Sequence, residues 1–290
     1  MGSITVKYYR DGINVSPINA GTYTIKIDVA PGESYTAATD ITDESWTFEI
    51  APMDITGATV GEFSKLTYTG SSQTPVATVT KDGLTVTGSW SEVTNVTDKT
   101  TFTAKGNFTG KIEGVNPGMA KAVPSYTVPT GLTVVYGQKL SDITLPSGFT
   151  WTDTTASVGN VGKNSFTVTY TPADLTNYEV VENISVEVNV SAKPITFLIE
   201  DIADVTYNGL AHTPVVVVKD GETTLTKDAD YTISYSDNIN AGIASVTVTG
   251  KGNYAGNNGI KTFEIHRANV NNRNNDKTIT YSGQTYDVSQ

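Results

Sequence analysis

The chain has 290 residues, no cysteine, a hydrophobic fraction of 38% and a formal net charge of −11. The missing cysteines exclude a disulfide framework and a thiolate metal site, and the acidic balance argues against nucleic acid, whose phosphates need clustered Lys and Arg. No apolar run approaches the roughly 18 residues of a membrane-spanning helix, and no signal peptide or sorting motif is visible, so membrane insertion is not expected.

Met1-Gly2-Ser3 reads as an expression remnant on a piece of a longer protein. The next segment, KYYRDG, carries Tyr9 two places before Asp11. Tyr23, Ile25, Ile27 and Val29 then alternate with Thr24, Lys26 and Asp28, the period of a half-buried strand. The tetrapeptide TFEI at Thr47–Ile50 closes this part, and Ala51-Pro52 follows it as a short junction. Beyond it, Lys81-Asp82-Gly83 predicts a tight hairpin, since Asp-Gly tolerates the positive φ such turns require. Trp90/Glu92 and Trp151/Asp153 repeat the aromatic-x-acid pattern, separated by a second Pro-bearing junction from Lys121 to Pro124. Ile184, Val186, Val188 and Val190 form another alternating strand before Lys193-Pro194. A second Asp-Gly turn falls at Lys219-Asp220-Gly221, the aromatic-x-acid pattern returns at Tyr235/Asp237, and TFEI returns at Thr262–Ile265. No segment has helical periodicity, so the chain is expected to be all-β.

Three anchors recur together. Besides the aromatic-x-acid pairs, a Tyr near a Gly falls at Tyr68, Tyr136, Tyr207 and Tyr281, and an aromatic after a polar stretch falls at Tyr35, Phe108, Tyr178 and Tyr254. Their shared spacing of about 72 residues marks a tandem array. Spacing within the units alternates, giving two module types in the order A-B-A-B. The expected boundaries are 1–50 (type A, lacking its first strands), 51–120 (type B), 121–192 (type A), 193–267 (type B) and 268–290 (the start of a further type A unit). Junctions of only a few residues predict neighbours that touch and an elongated rod.

Chemistry is sparse. Trp90, Trp151, Tyr9 and Tyr235 could stack on sugar rings, with Glu92 or Asp153 accepting hydroxyl bonds, but an aromatic at the same place in each unit is first of all a core residue. Trp46 stands where the fourth unit has Lys261, which makes it the aromatic most open to a local role in a junction or on a ligand. The two histidines, His212 and His266, are isolated, so a nucleophilic triad or zinc site has no materials and no enzyme is expected. Asp228/Asp230 and Asp43/Glu44 could bind calcium at a junction, although solvated turn acids are the default for such pairs. No Lys–Asn isopeptide pairing can be read from the sequence.

Residues 193–267, with TPVVVV, ADYTISYSDNINAG and VTGKGNYAG ending in KTFEI, resemble the Ig-like repeats of large bacterial surface proteins. Residues 121–192, with VVYGQKLSDITLPSGFTWTD, NVGKNSFTVTYTP and NYEVV, resemble the MBG-type repeat of the same proteins, whose hallmark is an early Tyr-Gly. The resemblance implies an array of small β-sandwiches, with a β-grasp-like core as the alternative for type A units. It also implies an extracellular, bacterial cell-surface setting and a stalk or adhesin role, with a host or matrix glycoprotein or glycan as partner. Type A strands missing at the head are present at the tail. Residues 277–290 could therefore complete the head of another copy by strand addition, head to tail; the alternative is an arbitrary cut in an exposed loop that leaves both ends frayed.

Overall fold

Two-residue turns organise the hairpins. Asp11 and Gly12 have φ of 51° and 79°, joining the strand Ile4–Arg10 to Ile13–Asn14, and Asp82 and Gly83 have φ of 50° and 81° between Val79–Lys81 and Leu84–Thr85. Both central residues at positive φ give the turn whose twist matches that of the strands, which is why Asp-Gly recurs here. The computed structural model describes residues 2–269, 278–281 and 284–287, and its chain divides into two compact units. One comprises Met1–Tyr126 with Tyr170–Val181, the other Thr127–Thr169 with Glu182–Gln290. The protein is all-β, with only two short 3-10 turns among the described residues.

In the first unit, Ile4–Arg10 lies between Ile13–Asn14 and Gly21–Val29, and the latter also pairs with Ala38–Ile41 and Thr47–Ile50. The register sets Tyr8 opposite Ile25 and Tyr23 opposite Phe48. Tyr8 and Tyr23 meet the Phe48 ring at centroid distances of 5.9 and 5.3 Å. Tyr9 points to the other face, under the Lys26 ammonium 4.5 Å from its centroid. The residue that packs as the core aromatic of this repeat is thus Tyr8, not Tyr9, because one step along a strand reverses the face. Residues 51–120 form two three-stranded sheets, Thr59–Val60, Val79–Lys81 and Leu84–Thr85 in one, Gly88–Trp90, Thr100–Ala104 and Lys111–Val115 in the other. Their shared core contains Ile55, Val79, Val86, Trp90 and Phe102.

In the second unit, residues 193–267 repeat that plan. The strands Val205–Thr206, Asn258–His266, Gly242–Gly250 and Tyr231–Ser236 form one sheet, and Leu198–Ile199, Val218–Asp220 and Thr223–Thr224 the other. Val246, Val248, Val218 and Phe263 are buried together in its core. Residues 121–192 differ in having one mixed sheet, ordered Leu132–Val135, Val181–Ser191, Gly162–Tyr170 and Phe149–Trp151. Ile184, Val186, Val188 and Val190 are buried while Ser185, Glu187 and Asn189 between them are exposed, as the alternation requires. The 3-10 turn Leu140–Asp142 and the following Ile143 add buried side chains in place of a second sheet.

In two repeats an early strand runs parallel to the last strand: Leu132–Val135 beside Val188–Ser191, and Val205–Thr206 beside Ile265 and His266. Thr47–Ile50 has no such neighbour among the described residues. At the other end, Thr278–Tyr281 and Gln284–Asp287 pair as a hairpin. The rest of the expected complementing tail, 277, 282–283 and 288–290, lies outside the described residues.

Candidate functional site

The recurring aromatics go to the cores. Trp90 is 8% exposed, packs on Phe63 and Phe102, and donates its indole N–H to the Ala77 carbonyl at 3.0 Å. Trp151 is also 8% exposed and donates to the Ile143 carbonyl at 3.3 Å, with Phe166 at its edge. Tyr235 is half-buried and donates its hydroxyl to the Pro214 carbonyl at 2.5 Å. Each of these rings has its polar atom spent on a backbone acceptor, the usual condition for burying Trp or Tyr. Trp46 differs, at 37% exposed, with its backbone in the turn that accepts from Ile25 and donates to Asp43.

The acids beside these aromatics serve turns. Asp11 and Asp237 take positive φ of 51° and 55°. Asp153 accepts from the Thr155 amide and hydroxyl, contacts that hold its carboxyl below the usual range, and Glu92 accepts from the Ser72 hydroxyl. Of the calcium candidates, Asp43 accepts from the Ser45 hydroxyl and amide, which lowers its pKa, and Asp230 accepts from the Thr226 amide. One grouping escaped the sequence reading: exposed Asp204, Glu264 and His266 place possible ligand atoms within 4.8 Å of one another. Asp204 and Glu264 are held together by the Glu264 amide, which donates to Asp204 Oδ1 at 2.8 Å.

The most ordered polar geometry lies where one repeat follows another, and it recurs three times. The Asn107 carboxamide accepts from the Ala20 amide at 2.8 Å and donates to Asn19 Oδ1 at 2.9 Å. Asn177 accepts from the Val96 amide at 2.9 Å and donates to Asn95 Oδ1 at 3.1 Å. Asn253 accepts from the Val161 amide at 2.9 Å and donates to Asn160 Oδ1 at 3.0 Å. A single carboxamide thus satisfies one donor and one acceptor of the facing Asn-x turn, which only Asn or Gln can do with one planar group. In two of these junctions a ring contact accompanies the clamp. Tyr178, next to Asn177, meets Tyr68 edge-on at 5.2 Å, and Tyr254, next to Asn253, meets Tyr136 at 5.8 Å.

Local chemistry shapes both halves. The facing turns Asn19-Ala20-Gly21 and Asn160-Val161-Gly162 end on Gly with φ of 144° and 127°, a conformation that L side chains rarely adopt. Residues 95–97 have Thr97 in place of that Gly, and here Asp98 holds the turn by accepting from the Thr94 and Asn95 amides at 2.8 and 2.7 Å. Those backbone donors keep the Asp98 carboxyl below its ordinary pKa. Asp174 does the same beneath Asn177, accepting from its carboxamide at 2.8 Å and its backbone amide at 3.2 Å, and its carboxyl is also held low, chiefly by that carboxamide. The sequence shows Lys-Gly-Asn-aromatic and Asn-Ala-Gly as repeat signatures. Their pairing is hidden because each clamp takes its halves from different repeats, about 80–90 residues apart.

No family model matches the chain, and no curated protein does. Two solved structures are similar to it: immunoglobulin domains 1–5 of Sidekick-1 and, in another crystal, domains 1–4 of the same protein. The first is 10% identical over 91% of this chain and 72% of that one, at a TM-score of 0.20. The second is 11% identical over 92% and 91%, at a TM-score of 0.21. At those scores neither likeness carries an argument, and the all-β fold stands on the strands and sheets described above.

Proposed function

We propose that this chain is a non-catalytic structural and adhesive segment, a run of Ig-like and MBG-type modules in the stalk of a bacterial cell-surface protein. The observation that carries the reading is the threefold Asn–Asn junction, which commits the best-placed polar side chains to seating repeat on repeat. The burial of Trp90 and Trp151 supports it, since rings spent on cores are not sugar platforms. Self-association belongs to the same reading. Residues 277–290 of one copy would add a strand beside Thr47–Ile50 of the next, an edge without a strand neighbour among the described residues.

Pulling the full chain by its ends tests the structural role. Separate unfolding events, each releasing about 25 nm of chain, are expected for repeats of about 70 residues at ~3.6 Å per residue. A single event would overturn it. Saturable quenching of tryptophan fluorescence by a glycan would favour a lectin instead, with Trp46 as its ring. Light scattering with and without residues 277–290 tests self-association, and an unchanged mass at high concentration removes that part.

A further inference from the structure

The fourth repeat presents the same receiving surface, unfilled among the described residues. Asn240-Ala241-Gly242 matches Asn19-Ala20-Gly21 and Asn160-Val161-Gly162, and Gly242 has φ of 141° against 144° and 127°. Tyr207 matches Tyr68 and Tyr136, and all three donate their backbone amide to a carbonyl near the end of their own repeat, at His266, Ala120 and Ser191 respectively. Tyr68 and Tyr136 are half-buried under the aromatic of the following repeat, whereas Tyr207 is 40% exposed. Asn240 and Ala241 are exposed too, and among the described residues nothing bonds to the Asn240 carboxamide or the Ala241 amide. Tyr207, Asn240 and Ala241, with Arg267 and Ala268, line one open concavity of about 370 Å³.

We infer that Tyr207, Asn240 and Ala241 form a socket for an Asn-Tyr or Asn-Phe turn at the tip of another module of this class. The incoming carboxamide accepts from the Ala241 amide and donates to Asn240 Oδ1, and the incoming ring packs edge-on against Tyr207. All three occupied precedents use Asn followed by an aromatic: Asn107-Phe108, Asn177-Tyr178 and Asn253-Tyr254. The equivalent turn of the first repeat reads Ser34-Tyr35, with Tyr35 74% exposed. Serine keeps the ring but loses the planar donor-and-acceptor pair, so a wild-type copy is a poor occupant and Ser34→Asn makes it a good one.

This inference rests on the stacking reading above, and the test separates the two. The isotope-labelled full chain is titrated to millimolar concentration with unlabelled full chain carrying Ser34→Asn, while the amide resonances of Ala241 and Tyr207 are followed. The socket predicts a saturable shift at both, an affinity at least tenfold above that of unlabelled wild type, and loss of the shift when the labelled chain carries Asn240→Ala. Tyr207→Ala in the labelled chain is a second variant, expected to weaken binding while leaving the Ala241 amide responsive. No shift at Ala241, or binding untouched by Asn240→Ala, or wild type binding as tightly as Ser34→Asn, would overturn it. In the same samples the exchange protection of the Ala20, Val96 and Val161 amides reports on the filled sockets. Its absence would count against stacking itself, independently of what Ala241 does.

Discussion

Replacing Asn177 by Ala should release the best-buried of the three clamps. Asn177 is 5% exposed, and its carboxamide accepts from the Val96 amide and donates to Asn95 Oδ1 at 2.9 and 3.1 Å. A neutral hydrogen bond contributes about 1 kcal/mol net, and an amide left buried without a partner costs about 1–3 kcal/mol. The bond to Asp174 is left out, because that carboxylate can be hydrated again once released. The expected loss is therefore about 2–3 kcal/mol, an opening equilibrium raised by roughly 30- to 150-fold. Hydrogen exchange at the Val96 amide reads it directly, since that proton is bonded to the deleted oxygen. Asn107→Ala is the internal control: Asn107 is exposed, water replaces its bonds, and the loss should stay near 1 kcal/mol. Unchanged exchange at Val96, or a larger loss at Asn107 than at Asn177, would refute the argument that burial sets the strength of these clamps.

Three further outcomes follow from the packing and the charges. Trp151→Ala should cost about 3–5 kcal/mol in urea unfolding, as removal of a large buried aromatic does, and a neutral effect would return Trp151 to the list of ligand rings. Asp98 and Asp174 have folded pKa values below the ordinary carboxylate value, so their support is full above that value and lost as pH falls through the lowered folded one. Exchange at Val96 should therefore accelerate in acid beyond its intrinsic pH dependence, and Asp98→Asn should blunt that response. Burial, with Asp220 and Tyr136 nearby, pushes the Tyr254 phenol up to about 12. It should ionise well above the ordinary tyrosine value in an ultraviolet titration, and the stability it contributes is present below pH ~10 and lost as pH rises through about 12.

The strands were legible because alternation is local. From Ile184 to Val190 the strand is apolar at every second residue and buries those residues, and the Asp82-Gly83 turn falls between paired strands as expected, whereas Asp220 ends its strand opposite Thr223 and the positive φ falls on Gly221 alone. The face of Tyr9 was not legible: KYYRDG offers two adjacent tyrosines, and only the register against Gly21–Val29 decides which turns inward. The single mixed sheet of residues 121–192 was also hidden, since its cover comes from loop residues Leu140 and Ile143 that carry no period. The junctions were half legible. Asn107 and Asn253 stand in Lys-Gly-Asn-aromatic and Asn19 in Asn-Ala-Gly, but Asn95 and Asn177 stand in neither, and a hydrogen bond between repeats leaves no periodic trace within either one.

Parallel pairing with the last strand determines how a repeat bears load. In residues 132–191 the chain enters along Leu132–Val135 and leaves along Val188–Ser191, side by side and pointing the same way. Tension applied to those two ends pulls the strands past each other lengthwise, so every rung between them is strained at once and none can open alone. An antiparallel hairpin pulled at its open end yields rung by rung instead. The resistance should scale with the number of rungs, four residue pairs here, two between Val205–Thr206 and Ile265–His266, and the isolated bridge Thr67–Ala120. Residues 132–191 are then expected to outlast residues 193–267, which yield length before the stronger repeat is lost.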